Sequence, residues 1–388
     1  VNQGSPRGEG RPPDLKGFSF LYFIDAAYYG GAERYMVWLA AGAKQAGARV
    51  RFLLRKGGAL GPLRRELTRS RIGYDEMPLD LPRKPVGLFR LMTYFLRERF
   101  DLVHANLPAP YLAQNSIVAP LARASGVRAV LTTEHLPRLP TQFRRGLLKR
   151  FCTFFVDRVI TVSRANARSL ERLHHIGSEK IRVVYNGVPD PGPRGKLEAR
   201  KELGIDENAL LIIEIGELSK RKGQMLLLDA MARLHRKEGW VLWIVGDGPE
   251  RYTQEQRAGE LGLAQRVVFT GYREDVGRIL AASDILVLPS ELEGMPYVVI
   301  EAMALGLPVV ASNVDGVPEV IRDGETGLLV PSGEVGPLVA SLRELMRQAD
   351  LRERLGRRGR QVYESGFRLD LAVSGVLDVY RELLSRET

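Results

Sequence analysis

At 388 residues and a net charge of +11, the chain exceeds what one hydrophobic core ordinarily holds, and it reads as two domains of a basic globular protein. Its single cysteine, Cys152, excludes an internal disulfide and fits a reducing, cytoplasmic compartment. No uninterrupted run of about 18 apolar residues occurs, which argues against a spanning helix.

Residues 1–16 are polar and rich in Gly and Pro, with no apolar core of a signal peptide, and are predicted to be a disordered lead-in. The first domain is assigned to 17–188. Residues 18–24 (FSFLYFI) are apolar throughout, as a central parallel strand is. They run into Gly30-Gly31, where the backbone can approach a ligand closely, and then a helix over 35–45. Strands are predicted at 49–54, 101–105, 128–133, 158–162 and 182–185, separated by helical stretches, so this half is a βα repeat. His104, Asn106 and His135 stand at strand ends. Ser163 has the position of a helix N-cap.

Charge is uneven in this half. Seven Arg or Lys face one Glu between Arg51 and Ile72, and nine face Asp157 and Glu171 between Arg138 and Arg172. Such patches attract nucleic acid, anionic lipid or anionic glycan, or are plain solvated helix faces. Nucleic acid is set aside because no binding motif or aromatic-interleaved basic platform accompanies them. Residues 143–155 (FRRGLLKRFCTFF) admit two readings: a helix resting on an anionic membrane surface, or one whose apolar face packs on the sheet.

A linker is predicted at 189–197 and a second domain at 198–365, followed by an amphipathic helix (367–384) within a closing segment, 366–388. The second domain opens with a buried strand at 210–215, the loop from Gly216 to Gly223, and a helix over 225–234. A strand at 240–245 ends in GDGPE; this is not a dinucleotide fingerprint, because Arg251 stands where the third glycine belongs. Strand segments follow at 267–269 and 271–273. An apolar run at 285–288 then leads into the loop 291–295, a helix opened by Pro296, and an apolar strand at 307–312. Ligands of such strand–loop–helix units sit where loops leave the carboxyl ends of strands. Glu293 and Glu301, with seven residues between them, frame this loop.

The pattern PS-x-x-EG-x-P-x-x-x-x-EA-x-A-x-G-x-PVV around these two carboxylates resembles the retaining glycosyltransferases of family 4. That resemblance implies a GT-B fold: two Rossmann-like, doubly wound parallel-sheet α/β domains facing a central cleft, with the donor on the second and the acceptor on the first. It also implies that Glu293 bonds the donor sugar, Gly294 and Met295 offer it backbone N–H groups beside Pro296, and Glu301 bonds the ribose hydroxyls. Lys222, after Gly216, matches the family's diphosphate-binding Lys. The family's second phosphate cation is an Arg at the position of Glu217, a departure for which Lys220 or Arg221 can compensate. Tyr272 and Arg273 match the turn that lies against the base. Gly30, Gly31 and Glu33 match a GGAE-like turn beside donor phosphate and acceptor, and His135 matches the histidine that reaches the donor sugar. His104 and Asn106 join Glu33 as acceptor-binding candidates.

Catalysis is assigned to His135, Glu293 and Lys222. No Asp-x-Asp occurs, so no metal or other cofactor is expected, and Lys222 with helix N-termini supplies the positive field. The expected partners are a nucleotide-sugar donor, UDP-sugar ahead of GDP-mannose, a glycan or lipid-linked acceptor, and an anionic surface at the inner face of the plasma membrane. Two other readings stay open at this point: a nucleotide-sugar 2-epimerase of the same architecture, and a non-catalytic basic protein that binds glycan or lipid. A glycoside hydrolase also uses two carboxylates, but phosphate-type loops have no place in one.

Overall fold

Runs such as SFLYFI, LVHANL and AVLTTE are buried along their whole length, as strands covered by helices on both faces must be. The structure, a computed structural model, describes residues 14–26, 29–78, 85–107, 116–136, 143–192, 195–234 and 239–385. The lead-in predicted over 1–16 therefore lies outside the described residues except for 14–16, as do residues 193–194 of the predicted linker. The chain divides into two units, one running to Tyr185 and resuming at Asp370, the other spanning Asn186–Leu369.

The first unit alternates β1 (Ser19–Ile24), α1 (Gly31–Gln45), β2 (Arg49–Arg55), α2 (Gly61–Arg69), β3 (Gly73–Met77), α3 (Pro85–Glu98) and β4 (Leu102–Leu107). It continues with α4 (Val118–Ala124), β5 (Ala129–Glu134), α5 (Phe143–Phe154), β6 (Arg158–Thr161), α6 (Arg164–His174) and β7 (Ile181–Val183). Among the described residues these strands form a parallel seven-stranded sheet in the order β3-β2-β1-β4-β5-β6-β7. The order reverses between β1 and β4, where Ile24 lies beside Asn106 and Asn106 beside Thr133.

The second unit holds α7 (Lys196–Leu203), β8 (Leu210–Ile215), α8 (Gln224–Ala232), β9 (Trp240–Val245), α9 (Arg251–Glu260), β10 (Val267–Gly271) and α10 (Val276–Ala282). Then come β11 (Ile285–Leu288), α11 (Tyr297–Ala304), β12 (Val309–Ser312), β13 (Leu328–Val330), α12 (Val335–Arg347) and α13 (Ala349–Gly366). Its parallel six-stranded sheet, again among the described residues, runs β10-β9-β8-β11-β12-β13 and reverses between β8 and β11.

One device recurs at the amino edges of both sheets. Asp101, Asp157 and Asp284 each stand just before a strand, and each carboxylate accepts the N–H of the first or second residue of the neighbouring strand, from Ser19, Val130 and Leu211 at 2.8, 2.8 and 2.6 Å. A sheet-edge N–H that would otherwise lack a partner is satisfied in each case.

The last helix, α14 (Leu369–Leu384), packs within the first unit. It lies so close to α1 that a Cβ on Gly42 would come within 2.3 Å of Val373. Its Tyr380 ring meets Phe20 edge-on at 5.3 Å, and its Glu382 pairs with Arg158 at 2.5 Å. Cys152 is buried in α5, and burial pushes its thiol up to about 12, which makes it an inert core residue at neutral pH. Among the described residues no helix is long and apolar enough to cross a membrane.

Candidate active site

In the second unit the two loops at the sheet's reversal point are joined backbone to backbone. Glu291 donates its N–H to the Arg221 carbonyl at 2.8 Å, and the Arg221 guanidinium returns a bond to the Leu292 carbonyl at 3.0 Å. Gly223, at φ +71°, makes this contact possible, since a Cβ there would sit 2.1 Å from the Pro289 carbonyl oxygen.

The joined loops bring Lys222 and Glu293 together. Lys222 Nζ donates to Glu293 Oε1 at 2.6 Å, and Arg221 Nη1 lies 3.8 Å from the same oxygen. Both side chains of the closer pair are nearly buried, at 12% and 8% exposed. The Glu293 N–H is received by Asp315 at 3.2 Å, a residue itself at φ +43°. Behind the loop, Asn186 donates to the Met295 carbonyl at 2.8 Å and receives the Tyr297 hydroxyl at 2.9 Å, which fixes the segment leading through Gly294 and Pro296 into α11. Glu301 stands half-buried in the second turn of that helix.

Beneath Lys222, Glu214 is fully buried at the end of β8. Its Oε1 accepts from Gln224 at 3.3 Å, and Gln224 also holds the Glu217 carbonyl at 3.0 Å beside Gly216. Burial dominates over the nearby Lys222 charge and pushes the Glu214 carboxyl up to about 8. The Glu217 side chain is 55% exposed and lies 3.9 Å from Arg221, so its carboxylate faces solvent beside that cation. Tyr272 is exposed at the end of β10, and Arg273 is held bidentately by Asp275 at 2.7 Å, which engages its charge within the protein.

In the first unit, the loops at the reversal between β1 and β4 carry a second polar cluster. Glu33, in the first turn of α1, accepts the Gly30 N–H at 2.9 Å, closing the turn before Gly31, and is only 4% exposed. Burial pushes its carboxyl up to about 7. Its other oxygen accepts from Asn106 at 3.3 Å, and Asn106 Oδ1 meets His135 Nε2 at 3.0 Å. Burial holds His135 down to about 4, so the ring is neutral at ordinary pH. His104 is separate: its two nitrogens engage Tyr380 Oη at 2.6 Å and Thr133 Oγ1 at 2.7 Å in the interior. A ring so occupied is a structural hydrogen bonder and offers no nitrogen to an acceptor.

The sequence pattern thus brings Lys222, Glu293, Gly294, Met295 and Pro296 together in one unit, and Gly30, Gly31, Glu33, Asn106 and His135 in the other. Asn186, Glu214, Gln224 and Asp315 were missed as site supports. Of these, only Asn186 carries a local signal, since it stands in an Asn-Gly turn dipeptide near the predicted end of the first domain at 188. Among the described residues no three His, Cys, Asp or Glu side chains gather as a metal site.

Comparison with known proteins accords with this geometry. Residues 29–190 match the model of Glycosyltransferase Family 4, and residues 195–362 that of Glycosyl transferases group 1. The N-acetyl-alpha-D-glucosaminyl L-malate synthase of Bacillus anthracis is 29% identical over 294 residues, 74% of this chain and 76% of that protein. The lipopolysaccharide core biosynthesis glycosyltransferase LpsE of Rhizobium meliloti is 33% identical over 218 residues, covering 55% of this chain and 61% of that one. Anabaena Alr3699/HepE, solved with UDP and glucose, superposes with a TM-score of 0.82 at 22% identity over 93% of this chain and 99% of its own. The two-sheet architecture is that of the GT-B fold.

Proposed function

This chain belongs to the group 1, family 4 glycosyl transferases, and we propose that it moves a hexose-type sugar from a nucleotide diphosphate sugar to a glycan or lipid-linked acceptor in cell-envelope polysaccharide or glycolipid synthesis. The observation that carries this reading is the pairing of Lys222 with Glu293, with Arg221 alongside, where the loops after β8 and β11 meet. Breaking the bond from the sugar's anomeric carbon to the diphosphate leaves negative charge on the phosphate oxygens. Lys222 and Arg221 neutralise it, and Glu293 accepts hydrogen bonds from sugar hydroxyls. The acceptor hydroxyl attacks the same face that the diphosphate leaves, and its proton passes to a departing phosphate oxygen, so configuration is retained and the charges balance. Retention is proposed from the family resemblance alone. Arg221 fills the role of the cation whose family position here is Glu217.

The site carries its own cations, and the reaction is assigned as metal-independent. Turnover that vanished in EDTA and returned with Mg²⁺ or Mn²⁺ would overturn that assignment. UDP is favoured as the nucleotide because a neighbour of the same fold is solved with UDP and glucose, and a relative named for lipopolysaccharide core biosynthesis supports an envelope product. The deciding experiment is the ligand-induced melting shift with UDP, GDP, ADP and their hexose conjugates on wild type and Glu301→Ala. A shift with one nucleotide class, abolished in the variant, establishes the donor; no shift with any of them removes the transferase reading.

Working at the cytoplasmic side of the plasma membrane is part of the same proposal. Helix α5 turns Lys149 inward to a buried pair with Glu134 at 2.8 Å, yet shows Leu147, Phe151 and Phe154 at 53%, 60% and 78% exposure beside exposed Arg150. Aromatic and basic side chains on one face suit the boundary of an anionic bilayer. Co-flotation with anionic vesicles, lost in Phe151→Glu/Phe154→Glu, is the expected result, and wild type that stays with neutral and anionic vesicles equally little overturns it.

A further inference from the structure

The hydrogen bonds from Gly30 to His135 have a direction. Glu33, whose carboxyl burial pushes up to about 7, is ionised above that pH and then has only acceptors. Its Oε2 takes the Gly30 N–H at 2.9 Å, so its Oε1 must take a donor from Asn106, which fixes the Asn106 amide with Nδ2 toward Glu33 at 3.3 Å. The amide oxygen then faces His135 Nε2 at 3.0 Å, and that nitrogen must carry the proton.

The backbone of His135 is held on both sides, and its ring is packed against an aromatic neighbour. The His135 carbonyl accepts from Asn166 at 2.8 Å, its N–H donates to the Leu107 carbonyl, and the Tyr35 ring stands edge-on to the imidazole at 5.8 Å. Among the described residues Nδ1 has no hydrogen-bond partner. Burial, which holds the ring neutral, excludes the doubly protonated form that would offer donors on both nitrogens.

We propose that Glu33, acting through Asn106, locks His135 as the Nε2–H tautomer, so that Nδ1 meets the substrate as a hydrogen-bond acceptor for a sugar hydroxyl. Glu33 and Asn106 are then positioning residues for His135, not acceptor contacts. Only the identity of the ligand, a sugar hydroxyl, rests on the transferase reading; the tautomer is a property of the free protein.

Ring-¹⁵N-histidine labelling of the whole chain, with long-range ¹H–¹⁵N spectra, tests this directly. The chain has five histidines, and the His135 signals are those lost in His135→Gln. At pH 8, above the value of about 7 to which burial raises Glu33, wild type is expected to show the Nε2–H pattern. In Glu33→Gln the side-chain oxygen keeps the Gly30 N–H and the new amide donates toward Asn106. Asn106 then turns over, its amide donates to Nε2, and His135 is expected to convert to the Nδ1–H tautomer. His104, whose partners are Tyr380 and Thr133, is expected to keep its own signals, which separates a tautomer change from loss of fold.

With a sugar donor, kcat in Glu33→Gln is expected to fall about tenfold, the loss of one well-placed hydrogen bond, while binding of UDP alone is unchanged. An Nδ1–H pattern in wild type overturns the proposal, as does an unchanged tautomer in Glu33→Gln with His104 undisturbed. Should that variant not fold, the wild-type tautomer alone decides. Absence of UDP binding would count against the transferase reading and leave the tautomer result standing.

Discussion

Lys222 Nζ and Glu293 Oε1 lie 2.6 Å apart, an ion pair made between a residue after β8 and one after β11. In the proposed reaction the pair pre-arranges a cation for phosphate and a carboxylate for sugar before either arrives. Such charges act most strongly where water is scarce, and these two side chains are about nine-tenths buried. Lys222→Met removes the charge but keeps most of the stem. It is expected to lower kcat/KM by about 100- to 1,000-fold, the scale on which losing one preorganised charge-stabilising group acts, and to abolish nucleotide-induced melting shifts. Lys222→Arg should recover part of both. Activity within threefold of wild type in Lys222→Met would show the pair to be structural only.

Glu217 stands where the resemblance places a phosphate-binding Arg, and the proposal that Arg221 takes over that role rests on where the two side chains point. Glu217 is more than half exposed and pairs only at 3.9 Å, whereas Arg221 is anchored on the Leu292 carbonyl and lies 3.8 Å from Glu293. An exposed pair of that kind contributes little, about 1 kcal/mol or less. Glu217→Gln is therefore expected to leave UDP affinity within about threefold of wild type. Arg221→Gln removes charge-assisted bonds and is expected to weaken affinity by about 10- to 100-fold. Titration calorimetry with UDP distinguishes them; a Glu217→Gln protein that binds tenfold more tightly would place that carboxylate against the phosphate after all.

Asn186 makes a different kind of contribution, since it touches no expected ligand. At 1% exposure it donates to the Met295 carbonyl and receives the Tyr297 hydroxyl, bracing the Gly294–Pro296 turn from behind. Asn186→Ala takes the amide donor away from the buried Met295 carbonyl, at about 1–3 kcal/mol for an unsatisfied buried group. The melting temperature is expected to drop by several degrees, with donor KM rising more than kcat falls, because the N–H groups proposed to bind the sugar lose their alignment. A variant with wild-type KM and reduced stability would confine Asn186 to folding.

How much of this was legible beforehand depended on whether the information was local. The central strands announce themselves as unbroken apolar runs, and Lys222-Gly223 and Glu293-Gly294 are short motifs in fixed places along the chain. The edge strands β3 (GYDEM) and β13 (LLV) were not foreseen. Each lies at the end of its sheet, half exposed and too short or too polar for an apolar run, and is fixed mainly by register to β2 or β12. Helix α1 begins at Gly31, four residues before the predicted start, because Glu33 closes the turn on the Gly30 N–H. The supports of the site were hidden for a related reason. Asn186 reaches Met295 across 109 positions of sequence, and no periodicity encodes such a contact.

Glu214 links the site to stability. Its folded carboxyl is raised to about 8, against an ordinary value near 4.5, because β8 buries it completely and leaves Oε2 without a partner. Between those two values the unfolded chain has released this proton while the native chain keeps it, so the native state binds more protons and stability falls as pH rises through the window. Below about 4.5 both states are protonated and the effect vanishes; above about 8 the loss is complete. Glu214→Gln has the same shape and no proton to lose, and its amide keeps an acceptor for Gln224. The variant is expected to melt near wild type at pH 5 and increasingly above it toward pH 8, by several degrees for a destabilisation of a few kcal/mol. Melting curves of both proteins across that range check this. A gap that stays constant with pH would mean that Glu214 is already ionised at neutral pH, held so by Lys222, and that this lysine is divided between two carboxylates instead of being committed to Glu293.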